Sequence, residues 1–269
     1  DGDGNTITVD SEGDATTGAS EGYAIRIDGI ISGSDTDFAI TTPAATNVDL
    51  VPSSGTIRNL TINHASAVVN IRSLATTISG DLTITAGTLD TQNSGSNLDL
   101  TVAGNTVVTG TLTGNNSTLV FGTDGVHGST ESGALHVESS GSLTFGSGDL
   151  TAFSGFTAKG TNTVTSTGGG DILIKGRTNN GFMNSHGHTG VNITGDYKIL
   201  YDNNSLHDIR NNMSITAANI IYSVSNRTYK FWTTSIPPSG SHVTFTGNLQ
   251  VSNSTTTLNR QETGRQPTQ

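Results

Sequence analysis

The chain contains the stretch Ile78-Ser79-Gly80-Asp81-Leu82-Thr83-Ile84-Thr85-Ala86-Gly87-Thr88-Leu89, and its pattern recurs in Val102-Ala103-Gly104-Asn105-Thr106-Val107-Val108-Thr109-Gly110-Thr111-Leu112-Thr113-Gly114. Both copies have the form Gly-polar-x-x-apolar-Thr, followed by Gly-Thr-Leu. Residues 140–145 give a shorter echo of the first half, and residues 243–252 match residues 76–85. Alternating apolar and polar side chains between Gly-rich turns predict short strands. The repeats predict coils or blades whose apolar faces stack on one another.

The composition excludes several classes of protein. The 269 residues carry a net charge of -10 and include 34 Gly, no Cys, 45 Thr and 30 Ser. A disulfide scaffold needs Cys, and a membrane-spanning helix needs an apolar run that this sequence lacks. A nucleic-acid-binding protein usually presents a basic face, which an acidic chain does not favour. We therefore expect no nucleic-acid partner and no membrane span.

The abundance of Thr, Val and Ile in alternating runs favours an ordered all-β protein over a disordered chain. The hydrophobic fraction is only 32%. A β-solenoid with parallel β-helix-like repeats explains this value, because each coil needs only a thin core and many Gly-containing turns. The alternative fold is a tandem array of β-sandwiches.

Composition and pattern divide the chain into four segments. We predict an acidic N-terminal β repeat over residues 1–57 and a Gly/Thr-rich repeat region over residues 58–170. A second repeat with an aromatic cluster covers residues 171–259, and residues 260–269 form a tail without an apolar period. The first 60 residues hold ten Asp or Glu residues, so this part of the surface should repel anionic polymers.

Several blocks resemble repeat units in large structural proteins of uncultured marine tailed bacteriophages. The blocks are Gly4–Val9, Glu21–Gly29, Arg58–Ser66, Thr76–Leu89 and Val108–Asn115. The resemblance covers roughly residues 4 to 150. Similar Gly/Thr repeats occur in bacterial adhesins of the filamentous haemagglutinin type. The resemblance implies a fibre or other exposed appendage without an assigned catalytic motif.

The sequence therefore predicts a non-enzymatic structural protein of a phage virion that functions in assembly or host attachment. Its expected partners are copies of itself, other virion proteins and a host-surface glycan. The first alternative is a bacterial surface or secreted adhesin, located outside the cell or on its surface. The second alternative is a polysaccharide-degrading tailspike.

A first candidate metal site lies at the start of the chain. Asp1, Asp3, Asn5 and Glu12 have part of the spacing of a calcium-binding loop, in which carboxylate and amide oxygens at positions 1, 3, 5 and 12 bind the ion. Thr6 occupies the position that such loops reserve for Gly. Because Asp-Gly pairs also form ordinary turns, a polar turn is the competing interpretation.

A second candidate metal site is formed by His186 and His188. Residues two apart in a strand project to the same face, so one metal ion could receive both imidazoles. A similar His-x-His element is used in the needle of T-even phage tail fibres, where three chains share the metal. This interpretation therefore requires a trimer, and the competing interpretation is a polar loop.

The aromatic residues Tyr229, Phe231 and Trp232 are a candidate contact surface, since aromatic side chains often dominate recognition of ligands. The competing interpretation is a core plug or end cap. Catalytic chemistry has little support: the chain lacks Cys and a G-x-S-x-G elbow, and it has only five Glu residues for paired-carboxylate catalysis. The sequence thus predicts no catalytic residues and no cofactor other than the candidate calcium ion.

Overall fold

A computed structural model describes residues 6–9, 36–41, 47–50, 55–72, 74–93, 95–124, 134–153, 155–161, 163–176, 190–201, 207–210, 214–222, 228–233, 244–251 and 257–262. These residues form an all-β fold and contain no helix, so none of them belongs to a helix that could cross a membrane. Parallel strands in stacked coils build a β-solenoid. The predicted fold class is confirmed.

The described strands are short, and most contain three to five residues. They are β1 Thr6–Val9, β2 Asp37–Ile40, β3 Asn47–Leu50, β4 Thr56–Ile57, β5 Asn59–Ile71, β6 Thr76–Ile78, β7 Leu82–Asp90, β8 Gln92–Asn93, β9 Ser96–Asn97, β10 Leu100–Val102, β11 Thr106–Val108, β12 Thr111–Thr113, β13 Leu119–Phe121, β14 Leu135–Val137, β15 Ser142–Phe145, β16 Leu150–Phe153, β17 Phe156–Ala158, β18 Val164–Ser166, β19 Ile172–Gly176, β20 Val191–Ile193, β21 Tyr197–Tyr201, β22 His207–Arg210, β23 Ser214–Tyr222, β24 Thr228–Thr233, β25 Thr244–Val251 and β26 Thr257–Glu262.

The strands of successive coils form three parallel sheets around one core. Sheet 1 has the order β1-β2-β5-β7-β11-β14-β17. Sheet 2 has the order β3-β5-β7-β12-β15-β18-β20-β23-β25. Sheet 3 has the order β4-β6-β10-β13-β16-β19-β21-β23-β25. The long strands β5, β7, β23 and β25 each contribute to two sheets.

Two smaller sheets accompany the solenoid. Strands β22, β24 and β26 form a separate parallel sheet, and β8 and β9 form an antiparallel hairpin. Parallel pairing continues across the boundaries proposed near residues 57 and 170, because β2 pairs with β5 and β16 pairs with β19. The four predicted segments remain predictions.

The core consists of apolar side chains that stack from coil to coil in each sheet. All members of three such columns are buried. They are Ile40, Ile62, Ile84, Val108, Val137 and Ala158 in sheet 1; Val48, Val69, Leu89, Leu112, Leu143 and Val164 in sheet 2; and Ile57, Ile78, Val102, Phe121, Ala152 and Ile174 in sheet 3. Burial of this apolar surface is the main favourable contribution to folding.

The repeat found in the sequence supplies the sheet 1 and sheet 2 strands of a coil. Thr106 pairs with Leu82 and Leu112 pairs with Leu89, so the two copies lie in neighbouring coils. Residues 140–145 were expected to match the first half of the repeat. Leu143 instead pairs with Leu112, which lies in the second half. The match near residue 248 also lies at a different corner, where β25 passes from sheet 2 to sheet 3.

Glycine is required at corners where neighbouring coils approach closely. A Cβ atom at Gly104 would lie 2.5 Å from the carbonyl oxygen of Gly80, and one at Gly195 would collide with the carbonyl oxygen of Gly170. Both contacts are with backbone, which cannot rotate away as a side chain would. The Gly-Asp and Gly-Asn pairs of the repeat therefore mark close backbone contacts.

One core position of sheet 1 holds a hydroxyl group. Thr106 is fully buried between Leu82 and Leu135, and its Oγ1 has no hydrogen-bond partner among the described residues. Thr91 is equally buried, but its Oγ1 donates to the Gly114 carbonyl oxygen at 2.8 Å and accepts a hydrogen bond from Ser117 at 2.9 Å. The two threonines thus differ in whether the buried hydroxyl is satisfied.

We predict that Thr106→Val increases the free energy of unfolding by about 1 kcal/mol, because it removes an unsatisfied buried hydroxyl and keeps the side-chain shape. Thr91→Val is the matched control and should destabilise the protein by about 1 kcal/mol or more, because it leaves the Ser117 hydroxyl without its acceptor. Urea denaturation of both variants measures these changes. Equal destabilisation by the two substitutions would contradict the prediction.

Candidate functional site

The two candidate metal sites of the sequence lie outside the described residues. This applies to Asp1, Asp3, Asn5 and Glu12 and also to His186 and His188. Both sites therefore remain predictions. Within the described ranges, no group of three or more His, Asp or Glu side chains is arranged to hold a metal ion.

The backbone of the aromatic cluster belongs to strand β24. Tyr229 pairs with His207 on one side and Leu258 on the other, and Trp232 pairs with Arg210 and Gln261. Phe231 lies between them in the same strand. The cluster is thus placed in the central strand of the small parallel sheet, and its function as a contact surface remains a prediction.

A chain of side-chain hydrogen bonds follows the corner where sheet 1 begins. Asn59 donates from Nδ2 to Asp37 Oδ1 at 2.8 Å, and the backbone N–H of Asp81 donates to Asn59 Oδ1 at 2.7 Å. The backbone N–H of Asn105 donates to Asp81 Oδ1 at 2.7 Å. Arg58 donates to both carboxylate oxygens of Asp37 at 2.6 Å each, and this contact is the largest cause of the lowered pKa of Asp37. Each corner is thereby tied to the next coil.

A second ladder follows the corner where sheet 3 begins. The backbone N–H of Asp171 donates to Asp149 Oδ1 at 3.0 Å, and that of Asp196 donates to Asp171 Oδ1 at 2.8 Å. Asn219 continues the ladder by donating from Nδ2 to Asp196 Oδ1 at 2.8 Å. Lys198 forms an ion pair with Asp171, which is the largest cause of the raised pKa of the lysine. These carboxylates are therefore engaged as structural acceptors.

A buried histidine interrupts the outer surface of sheet 1. His136 is 9% exposed although its position in the strand alternation is outward, and it is flanked by the uncharged Val107 and Thr157. Its Nε2 lies 3.0 Å from Glu138 Oε1, and Lys159 Nζ lies 3.3 Å from Glu138 Oε2. Burial is the main cause that lowers the pKa of His136, the Glu138 charge opposes it, and Lys159 reinforces it.

A polar cleft of about 270 Å³ lies at the edge of sheet 2 and is the candidate binding site of the described chain. Phe145 and Gly146 contribute to its lining along with six neutral polar residues from four coils. The polar residues are Gln92, Thr113, Asn115, Asn116, Thr144 and Thr167. Thr113 and Thr144 pair on successive coils, so the solenoid repeat builds one wall of the cleft.

The turn that follows β12 shapes the cleft. Asn115 has a φ of 48°, a left-handed conformation that asparagine tolerates better than most residues. Its Nδ2 donates to Asp90 Oδ1 at 2.7 Å, and its carbonyl oxygen accepts a hydrogen bond from the Gly146 N–H. Asn116 Oδ1 accepts from the Ser147 N–H at 2.9 Å. These contacts fix the turn between its neighbouring coils.

Sequence reasoning did not identify the cleft. Its residues lie as far apart as Gln92 and Thr167, and the chain has so many Thr and Asn residues that none of them stands out. The Asn115-Asn116 pair after a Thr-x-Thr strand was the one local signal, since Asn is favoured in left-handed turns. No known protein family, curated protein or solved structure matches the chain.

We predict that Asp171→Ala decreases the free energy of unfolding by about 1–3 kcal/mol, because the Asp196 N–H loses its acceptor. Asp171→Asn keeps an acceptor oxygen and loses only a partly exposed ion pair, so its effect should be at most about 1 kcal/mol. Thermal and urea denaturation compare the two variants. An equal loss in both would show that the ion pair, and not the ladder, stabilises this corner.

We predict that His136 makes the fold less stable as the pH falls. Since burial lowers the pKa of His136 in the folded protein below the ordinary value of histidine, the unfolded chain binds a proton first, and stability is lost as the pH falls through the pKa of the unfolded state. His136→Gln should therefore show a smaller loss of stability than the unmodified protein between about pH 7.5 and about pH 5.5. His64→Gln, at a more exposed position, is the matched control. An unchanged pH dependence in His136→Gln would contradict the prediction.

Proposed function

We propose that the chain is a non-enzymatic structural protein, part of a fibre or other exposed appendage of a phage virion, that assembles with copies of itself. The stacking of coils carries this proposal. Core columns and corner ladders link each coil to the next, and such a stack forms a stiff rod that lengthens by about 4.7–4.9 Å with every coil. A rod of this kind suits a spacer or fibre.

The surface of the described coils also supports a structural function. The carboxylates that line the corners accept backbone hydrogen bonds and pair with Lys198 or Arg58, as expected for groups that stabilise the fold. Paired-carboxylate catalysis needs acids that face a substrate site. The lining of the polar cleft contains Thr, Asn and Gln but no Asp or Glu. A tailspike-like hydrolase therefore has less support than a scaffold.

The proposed location in a virion is based on the resemblance of residues 4–150 to phage structural repeats. Self-association is supported by the parallel sheets, since a strand at the end of a stack exposes backbone donors and acceptors that another chain can pair with. The bacterial surface adhesin is the competing function, because the same rod would serve it equally well.

Immunogold electron microscopy tests whether the protein is part of phage particles. Antibodies raised against the purified chain are applied to phage particles and to host cells, and gold labels are imaged by electron microscopy. We expect labels on fibres or other projections of the particles. Labels confined to the outer surface of uninfected cells would support the adhesin, and labels confined to the cell interior would contradict both functions.

A further experiment addresses catalysis separately. The purified chain is incubated with a panel of bacterial capsular and storage polysaccharides, and new reducing ends and unsaturated uronates are measured. We expect no release of either product. Turnover that is abolished by substitution of an acidic residue would replace the structural function with that of a depolymerase.

A further inference from the structure

The polar cleft presents hydrogen-bonding groups that the fold itself does not use. Asn115 uses its Nδ2 on Asp90, and Asn116 uses its Oδ1 on the Ser147 N–H. Asn115 Oδ1 and Asn116 Nδ2 make no hydrogen bond to another described residue. The turn is therefore held by one half of each amide, while the other half remains available to a ligand.

The wall of the cleft adds further unused groups. The hydroxyls of Thr113, Thr144 and Thr167 and the side-chain amide of Gln92 form no hydrogen bond within the part of the chain that the structure describes. Thr113 and Thr144 are directly paired on neighbouring coils, and backbone pairing fixes their spacing at about 4.7–4.9 Å. The cleft thus contains a fixed set of donors and acceptors supported on rigid strands.

The charge of the cleft restricts the class of ligand. None of its lining residues is ionisable, and the nearby Asp90 adds a negative charge that disfavours anions. Phe145 is only 3% exposed, so the cleft offers little apolar surface to an aliphatic or aromatic ligand. Hydroxyls and amides both donate and accept hydrogen bonds, which matches a neutral molecule rich in hydroxyl groups.

We propose that this cleft binds an uncharged glycan through Gln92, Thr113, Asn115, Asn116, Thr144 and Thr167. Its volume of about 270 Å³ lies just below the ~300–1,000 Å³ of typical small-molecule sites, so it holds a single unit or the end of a sugar chain. Repetition of the site in a self-associated fibre would strengthen weak binding by multivalency. The proposal concerns the ligand and is independent of where the chain is located.

Saturation-transfer NMR with the full chain tests the proposal. The probes are the hexasaccharides of maltose, cellobiose, laminaribiose, mannobiose and chitobiose type, with oligogalacturonate of equal length as the anionic comparison. We expect saturable binding of at least one neutral hexasaccharide and no binding of oligogalacturonate. Failure of every neutral probe to bind, or binding of oligogalacturonate alone, would overturn the proposal and leave the structural function intact.

Variants locate the binding. The double substitution Thr113→Val and Thr144→Val removes two hydroxyls while it keeps side-chain shape, and we expect it to weaken binding about tenfold. The matched control is Thr88→Val with Thr111→Val, which lie on the same sheet outside the cleft lining and should change affinity by less than about twofold. Gln92→Ala, at an exposed position, is a further variant that leaves the core untouched.

The two sets of variants separate the possible results. Weaker binding in the cleft variants, with melting temperatures like those of the controls, would support the assigned site. Equal binding in all variants would show that the glycan binds elsewhere and would overturn the assignment.

Discussion

Parallel stacking in register is the constraint on which the rest of the structure depends. Each strand exchanges backbone hydrogen bonds with the coils before and after it. The neighbour of each residue is therefore the residue at the same position in the next coil. An apolar residue such as Ile62 therefore needs apolar partners at Ile40 and Ile84. The whole core follows from repetition of this condition along the axis.

The corners solve a second problem created by the stack. Where the chain turns, its backbone N–H groups leave the ladder of the sheets and need other acceptors. Asp81 and Asp171 supply them from the preceding coil, and the glycine before each carboxylate permits the close approach of the backbones. In each Gly-Asp pair the aspartate thus accepts a hydrogen bond from the following coil, and the glycine leaves space for the preceding coil.

Buried and outward-facing positions of the strands therefore place different requirements on the side chain. Buried residues must fill the core together with their neighbours, while outward residues such as Thr113 and Thr144 need only suit a strand and water. Outward positions can therefore present a surface without loss of stability. The cleft illustrates this separation: the amide atoms that hold the Asn115-Asn116 turn are different from those that make no hydrogen bond to a described residue.

The alternation of apolar and polar residues predicted the strands, and the repeats with the low hydrophobic fraction favoured the solenoid over a β-sandwich array, because each coil needs only a thin core. Sequence could not assign each motif to a corner: Gly80-Asp81 begins sheet 1, whereas Gly247-Asn248 begins the part of β25 in sheet 3. Contacting residues of neighbouring coils are 19 apart at Asp99 and Thr118 and 31 apart at Asn116 and Ser147. Only the packing of the core determines these unequal separations between neighbouring coils. The same packing brings Gln92 and Thr167 into one cleft.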